Sequence, residues 1–181
     1  MTRYVAFLRA INITGRFVKM DRLRGLFEEL GFPNVQTFIA SGNVIFESPA
    51  TDTQMLERRI ESHLRAALGF EVATFVRTVS EVAAIAAYKP FAASELDAEG
   101  NSLYIAFLPA PPGDDARQKL LRFRSEIDDF HVHDREVYWL CRKQISDSPF
   151  SGAVLEKTVG MPATLRNSTT VRRLAAKYAV R

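Results

Sequence analysis

From Tyr4 to Leu8 the chain is apolar at every position, and downstream Leu23, Leu26, Phe27 and Leu30 recur at helical spacing. The first run reads as a short strand and the second as one face of a helix over residues 21–30, which Gly31 would close. Val35 to Ile39 and Val44 to Phe46 are strand-rich runs around Ala40-Ser41-Gly42-Asn43, so this pair predicts a hairpin. Thr51 and Gln54 have capping-box spacing ahead of Leu56, Ile60, Leu64 and Leu68, which line one helical face as far as Gly69. Val72 to Val76 adds a strand. The order β-α-β-β-α-β over residues 3–78 is that of a ferredoxin-like plait.

The second half repeats much of this pattern. Leu103 to Leu108 predicts a strand, Asp114 to about Arg124 a helix, and Phe130 to His133 with Val137 to Cys141 a hairpin turning at Asp134-Arg135. Helices are expected over residues 152–158 and 169–178, giving a second plait that has lost or replaced its last strand. The expected organisation is α+β: two tandem ferredoxin-like lobes with antiparallel sheets and a C-terminal helix. The first lobe is residues 1–79, a helical connection covers 80–101, and residues 102–181 form a lobe ending in a basic helix. The strands at Tyr4, Leu103 and Val137 do not alternate between apolar and polar, which predicts sheets covered on both faces. Phe7, Phe46 and Phe107 then belong to the core rather than to an exposed stacking platform for RNA.

Composition narrows the class. One cysteine among 181 residues excludes an intrachain disulfide framework and a multi-cysteine metal site, and fits a reducing compartment, so the cytoplasm is the expected location. The first apolar run is too short for a signal segment or a membrane span, and no membrane partner is expected. The net charge of +3 is unevenly spread. Residues 1–24 hold six basic residues against Asp21, and residues 157–181 hold six with no acid, while the stretch between has 12 basic and 20 acidic residues. Two basic ends around an acidic middle point to an anionic partner, either nucleic acid or a phosphorylated small molecule.

Candidate chemistry is sparse. The loop "RAINITGRFVK" has a single glycine, Gly15, and so matches neither phosphate-binding glycine pattern. It runs from a strand into a helix N-terminus, where Arg9 and Lys19 could add charge-assisted bonds to an anion, although Asp21 would compete as a cap. His131 and His133 share one strand face without a third ligand, and read as a wetted hairpin edge. The acid pairs, Asp128-Asp129 among them, read as solvation, and Cys141 as a buried, inert thiol. No metal, cofactor or catalytic signature emerges.

Residues 4–46, from "YVAFLRAIN" to "ASGNVIF", and residues 155–174, "LEKTVGMPATLRNSTTVRRL", resemble the bacterial family called domain of unknown function sixteen ninety-seven. The resemblance implies a pair of ferredoxin-like plaits and no particular reaction. It marks Arg9, Asn12, Gly15, Ser41, Gly42, Asn43, Lys157, Arg166 and Asn167 as positions matching the family's polar motifs. Ala10, Thr14, Pro149 and Ser168 depart from the pattern. The candidate anion-binding set is thus Arg9, Asn12, Lys19, Ser41, Asn43, Lys157, Arg166 and Asn167. Structural roles compete: Asn12 and Asn43 can hold turns, Arg9 can pair with an acid across lobes, and Asn167 or Ser168 can cap the last helix. Three readings stay open: binding of a phosphate-bearing partner, an enzyme acting on a small phosphorylated or carboxylated substrate, and an interaction module without a ligand.

Overall fold

A computed structural model describes residues 1–13 and 15–179; Thr14, Val180 and Arg181 lie outside the described residues. The chain forms a mixed α/β fold with two four-stranded antiparallel sheets and, among the described residues, seven α-helices. Its contacts group into two units, one made of residues 1–84 with the chain from Leu174 on, the other of Ile85–Arg173.

In the first unit, β1 (Thr2–Leu8), β2 (Gln36–Thr37), β3 (Asn43–Ser48) and β4 (Thr74–Thr78) lie in the order β2-β3-β1-β4. Helices α1 (Met20–Glu29) and α2 (Thr53–Leu68) present Leu23, Leu26, Phe27, Leu56, Ile60 and Leu64 to a core with Tyr4, Ala6, Leu8 and Phe46. Phe46 centres a ring cluster, 4.5 Å from Phe32, 5.6 Å from Tyr4 and 5.7 Å from Phe27. On the other face of β1, Val5 and Phe7 are also buried, as the unbroken apolar run requires. The cap of α2 is Asp52 rather than Thr51: its carboxylate accepts from the amides of Gln54 and Met55. Asp21 lies inside α1 and Lys19 is the residue before it, so Asp21 does not cap that helix.

Among the described residues strand β4 pairs with β1 alone, which leaves an edge that could recruit another strand. Helix α2 closes it: Glu61 Oε1 accepts from the Thr74 amide and Glu57 Oε1 from the Val76 amide, each at 2.9 Å. The two carboxylates are one helical turn apart, and the two amides one pleat apart, so the spacings match. Burial pushes the Glu61 carboxyl above the usual carboxylate range.

The second unit holds α3's last residues (α3 is Val79–Ala87), α4 (Ala93–Leu96), β5 (Ser102–Phe107), α5 (Asp114–Leu121), β6 (Asp128–His133), β7 (Glu136–Cys141), α6 (Gly152–Val159) and β8 (Thr164–Asn167). Its sheet runs β6-β7-β5-β8, so a fourth strand is present where the sequence suggested one lost or replaced. That strand is only four residues long, too short for alternation to show. One face carries Ala106, Trp139, Cys141 and Phe130, packed with Leu120, Leu155 and Phe150. The final helix, α7 (Ser168–Tyr178), begins at once after β8.

Asp128 overturns the solvation reading for its own pair, whereas Glu28, Glu29, Asp114 and Asp115 are exposed. Asp128 is 1% exposed, and its carboxylate accepts from Trp139 Nε1 at 2.7 Å and from the Ser148 hydroxyl at 2.6 Å. Cys141 is buried beside it, with its thiol donating to the Lys143 carbonyl. Burial pushes the thiol pKa up and the nearby Asp128 carboxylate adds to the shift, so the thiol is a poor nucleophile.

Candidate functional site

Two places gather polar groups, one in each unit. In the first, the loop after β1 and the loop before β3 are bonded together. Asn12 Nδ2 donates to the Ala40 carbonyl at 2.6 Å while its Oδ1 accepts from the Val18 amide at 2.8 Å. Asn43 is fully buried, donating to the Phe38 carbonyl and to Ser41 Oγ. Both amides therefore hold loop backbone. The Leu8 amide donates to the Gly42 carbonyl, and a Cβ on Gly42 would come 3.1 Å from Leu8 Cβ and 3.2 Å from Ile11 Cβ, at φ 82°. Only glycine fits there. Arg9 is half-buried and already engaged, Ser41 is exposed, and Lys19 is exposed at the mouth of α1.

Strain marks the same loops. Ala10, Asn12 and Ile39 take left-handed φ values of 58°, 61° and 59°. For Ile39 this is costly, since a β-branched side chain crowds its own backbone there, and the side chain is 43% exposed. Ile39→Gly is expected to raise stability by about 1 kcal/mol, read as a higher denaturant midpoint. A lower midpoint would mean that the side chain's packing outweighs the backbone strain.

In the second unit, the sheet register lays out a rung of four residues on one face: His131 opposite Tyr138, Tyr138 opposite Ile105, and Ile105 opposite Arg166. Tyr138 and Ile105 form the floor of a cavity of about 370 Å³. Ile85, Tyr88, Leu96 and Asp97 also line it. The start of α7 supplies Asn167, Ser168, Thr169 and Arg172, while Lys89 and Asn101 also line the space. Two cations thus face one carboxylate. Asn167 Oδ1 accepts from the Thr169 amide at 2.9 Å, a capping bond, and Arg172 donates to Thr169 Oγ1 at 3.3 Å. The helix opens on the cavity with its positive dipole end.

Arg166 ends the rung but is 7% exposed. Its Nη1 donates to Thr164 Oγ1 at 2.7 Å and to the Leu165 carbonyl at 2.9 Å, and burial pulls its pKa down to about 10. Its guanidinium is spent within the protein. Lys157 is exposed in the last turn of α6 and does not line the cavity. Of the eight residues singled out by sequence, Asn167 alone lines it.

Lys89, Asn101, Tyr88, Tyr138 and Arg172 were missed, because nothing in their spacing links the end of one helix to the start of another. Tyr88 also changes the reading of the histidines. Its hydroxyl lies 2.7 Å from His131 Nε2 and its ring stacks on His133 at 4.0 Å and 12°. His131 is half-buried by this contact rather than wetted.

The His131 pKa is held below the usual imidazole range by burial first, then by His133, Arg117 and Arg124, with Asp129 opposing. The unfolded chain therefore takes up this proton more readily, and stability falls as pH drops through about 6.5. Denaturant midpoints of the wild type should decline more steeply on acidification than those of His131→Gln. Parallel declines would remove His131 as the source.

Residues 1–138 match the family described as protein of unknown function, DUF1697. The chain belongs to this family. The match takes in the strained loops and most of the second unit, and ends before β8 and α7. A solved structure, that of the conserved bacterial protein SP0830 from Streptococcus pneumoniae, has the same fold: the TM-score is 0.70 over 99% of both chains, at 20% sequence identity. No curated protein matches the chain.

Proposed function

We propose that this protein binds, in the second-unit cavity, a small molecule that joins a phosphate or carboxylate to an apolar or aromatic body. The observation that carries the reading is the pairing of Lys89 and Arg172 with the polar start of α7 above a floor of Ile105 and Tyr138. A volume near 370 Å³ falls in the range of small-ligand sites. Cations and helix amides would take the charged group, and the tyrosines and aliphatic side chains the body. The same reading takes the chain as a cytoplasmic pair of ferredoxin-like plaits, a lobe at 1–79 and another at 102–181. The element order β-α-β-β-α-β with sheet orders β2-β3-β1-β4 and β6-β7-β5-β8 supports the plaits. A lone buried cysteine supports the compartment.

The test is a thermal-shift series with phenyl phosphate, benzoate and inorganic phosphate, with phenol as the uncharged control and short single-stranded DNA alongside. Binding to the folded state raises the melting temperature with ligand concentration. Phenyl phosphate or benzoate should stabilise the protein more than phenol or inorganic phosphate does. Stabilisation by DNA alone would replace the cavity with a surface reading.

A further inference from the structure

The strained loops of the first unit carry three exposed apolar side chains: Phe17 at 76%, Ile13 at 55% and Ile39 at 43%. The Asn12–Ala40 bond ties their two loops together, and left-handed backbone at Ala10, Asn12, Gly15, Ile39 and Gly42 shapes both. Such side chains are ordinarily buried, and holding Ile39 outward at a strained φ costs stability without adding core. Cations are interleaved with them. Arg16 sits over the Phe70 ring at 5.3 Å, Lys19 and Arg22 are exposed, and Asp21 is the one acid between Arg9 and Arg24.

We infer that this loop pair docks on an anionic bilayer surface. Phe17, Ile13 and Ile39 enter the headgroup–acyl boundary while Arg16, Lys19 and Arg22 meet lipid phosphates. A protein pocket would have to match three apolar tips carried on two loops with cations between them; a bilayer interface accepts that alternation without shape complementarity. Surface attachment needs no spanning helix, and no helix among the described residues is long and apolar enough to span. Cations near such a surface add attraction that salt screens. The loops share no residue with the cavity lining, so either assignment can fail alone.

The experiment is sedimentation of the full chain with vesicles of phosphatidylcholine, with and without phosphatidylglycerol, at low and moderate salt. Binding is expected only with phosphatidylglycerol, weaker at moderate salt. Phe17→Ser should lower the partition coefficient about tenfold, whereas Phe123→Ser, another exposed phenylalanine, should not change it. Ile39→Gly separates binding from folding, because it should weaken vesicle binding while the protein becomes more stable. No sedimentation with anionic vesicles overturns the inference. So does sedimentation unaffected by Phe17→Ser, or single-stranded DNA binding that Phe17→Ser weakens while vesicle binding stays unchanged.

Discussion

Asp128→Ala is expected to destabilise the protein by about 3 kcal/mol, read as a fall in urea midpoint by circular dichroism. The carboxylate is the acceptor for two donors from separate segments: the buried Trp139 indole on β7 and the half-buried Ser148 hydroxyl ahead of α6. Hydrogen bonds to a charged group are worth about 1.5–3 kcal/mol each, and alanine leaves both donors unsatisfied. Trp139 also anchors a ring cluster, 5.1 Å from Phe150 and 5.4 Å from Tyr104. Losing the bond therefore frees the largest side chain of that core. Asp128→Asn keeps an acceptor for the indole and places a donor toward Ser148, so it should cost about 1 kcal/mol. Equal losses for the two variants would locate the effect in charge rather than in hydrogen-bond geometry. Trp139 is the only tryptophan, so its emission reports the repacking directly.

Charge reversal at the cavity should have the larger functional effect. Replacing both Lys89 and Arg172 by glutamate is expected to weaken phenyl phosphate binding about 100-fold, as measured by titration calorimetry. Each side chain would go from attracting the anion to repelling it, beside an existing carboxylate, Asp97. Both positions are exposed on the cavity rim, so the fold should tolerate the change. The reversal of Lys157, exposed on α6 away from the cavity, should leave affinity unchanged. If Lys157→Glu weakens binding as much as the double reversal does, long-range charge rather than the cavity governs it.

The strands and helices were legible because their signals are local. The apolar runs at Tyr4 and Val137 and the spacing of Leu56, Ile60 and Leu64 each fit within one element. Most of what failed depended on contacts distant in sequence; the cap of α2 depended on local backbone conformation. Strand β8 is four residues long, and its pairing with β5 decides it. Thr51 and Asp52 are both good caps, and only the backbone shows that Asp52 holds the cap conformation. Asp128 looks like half of a surface pair until Trp139 and Ser148 come to it from 11 and 20 residues away.

The site was less legible than the fold for the same reason. The polar motifs around Asn12 and Asn43 were visible as sequence, but the structure uses their amides to hold two loops together. Arg166 was selected for its charge, whereas its place on an inner rung of the sheet buries it. The cavity draws on residues near 88, 101, 138 and 170, from the end of α3, the start of α7 and the sheet. Periodicity carries no information about such a meeting. Asn167 is visible as part of a family-like motif, and it lines the cavity because the chain turns there from β8 into α7.

The central claim, that the second-unit cavity takes an anion joined to an apolar body, is tested most directly by an amide NMR titration with phenyl phosphate. Saturable shifts should concentrate at Tyr88, Lys89, Asn101 and Asn167 to Arg172, and vanish in the Lys89→Glu, Arg172→Glu variant. Shifts that instead follow Lys157 and Lys19, or that survive the double reversal, would contradict it.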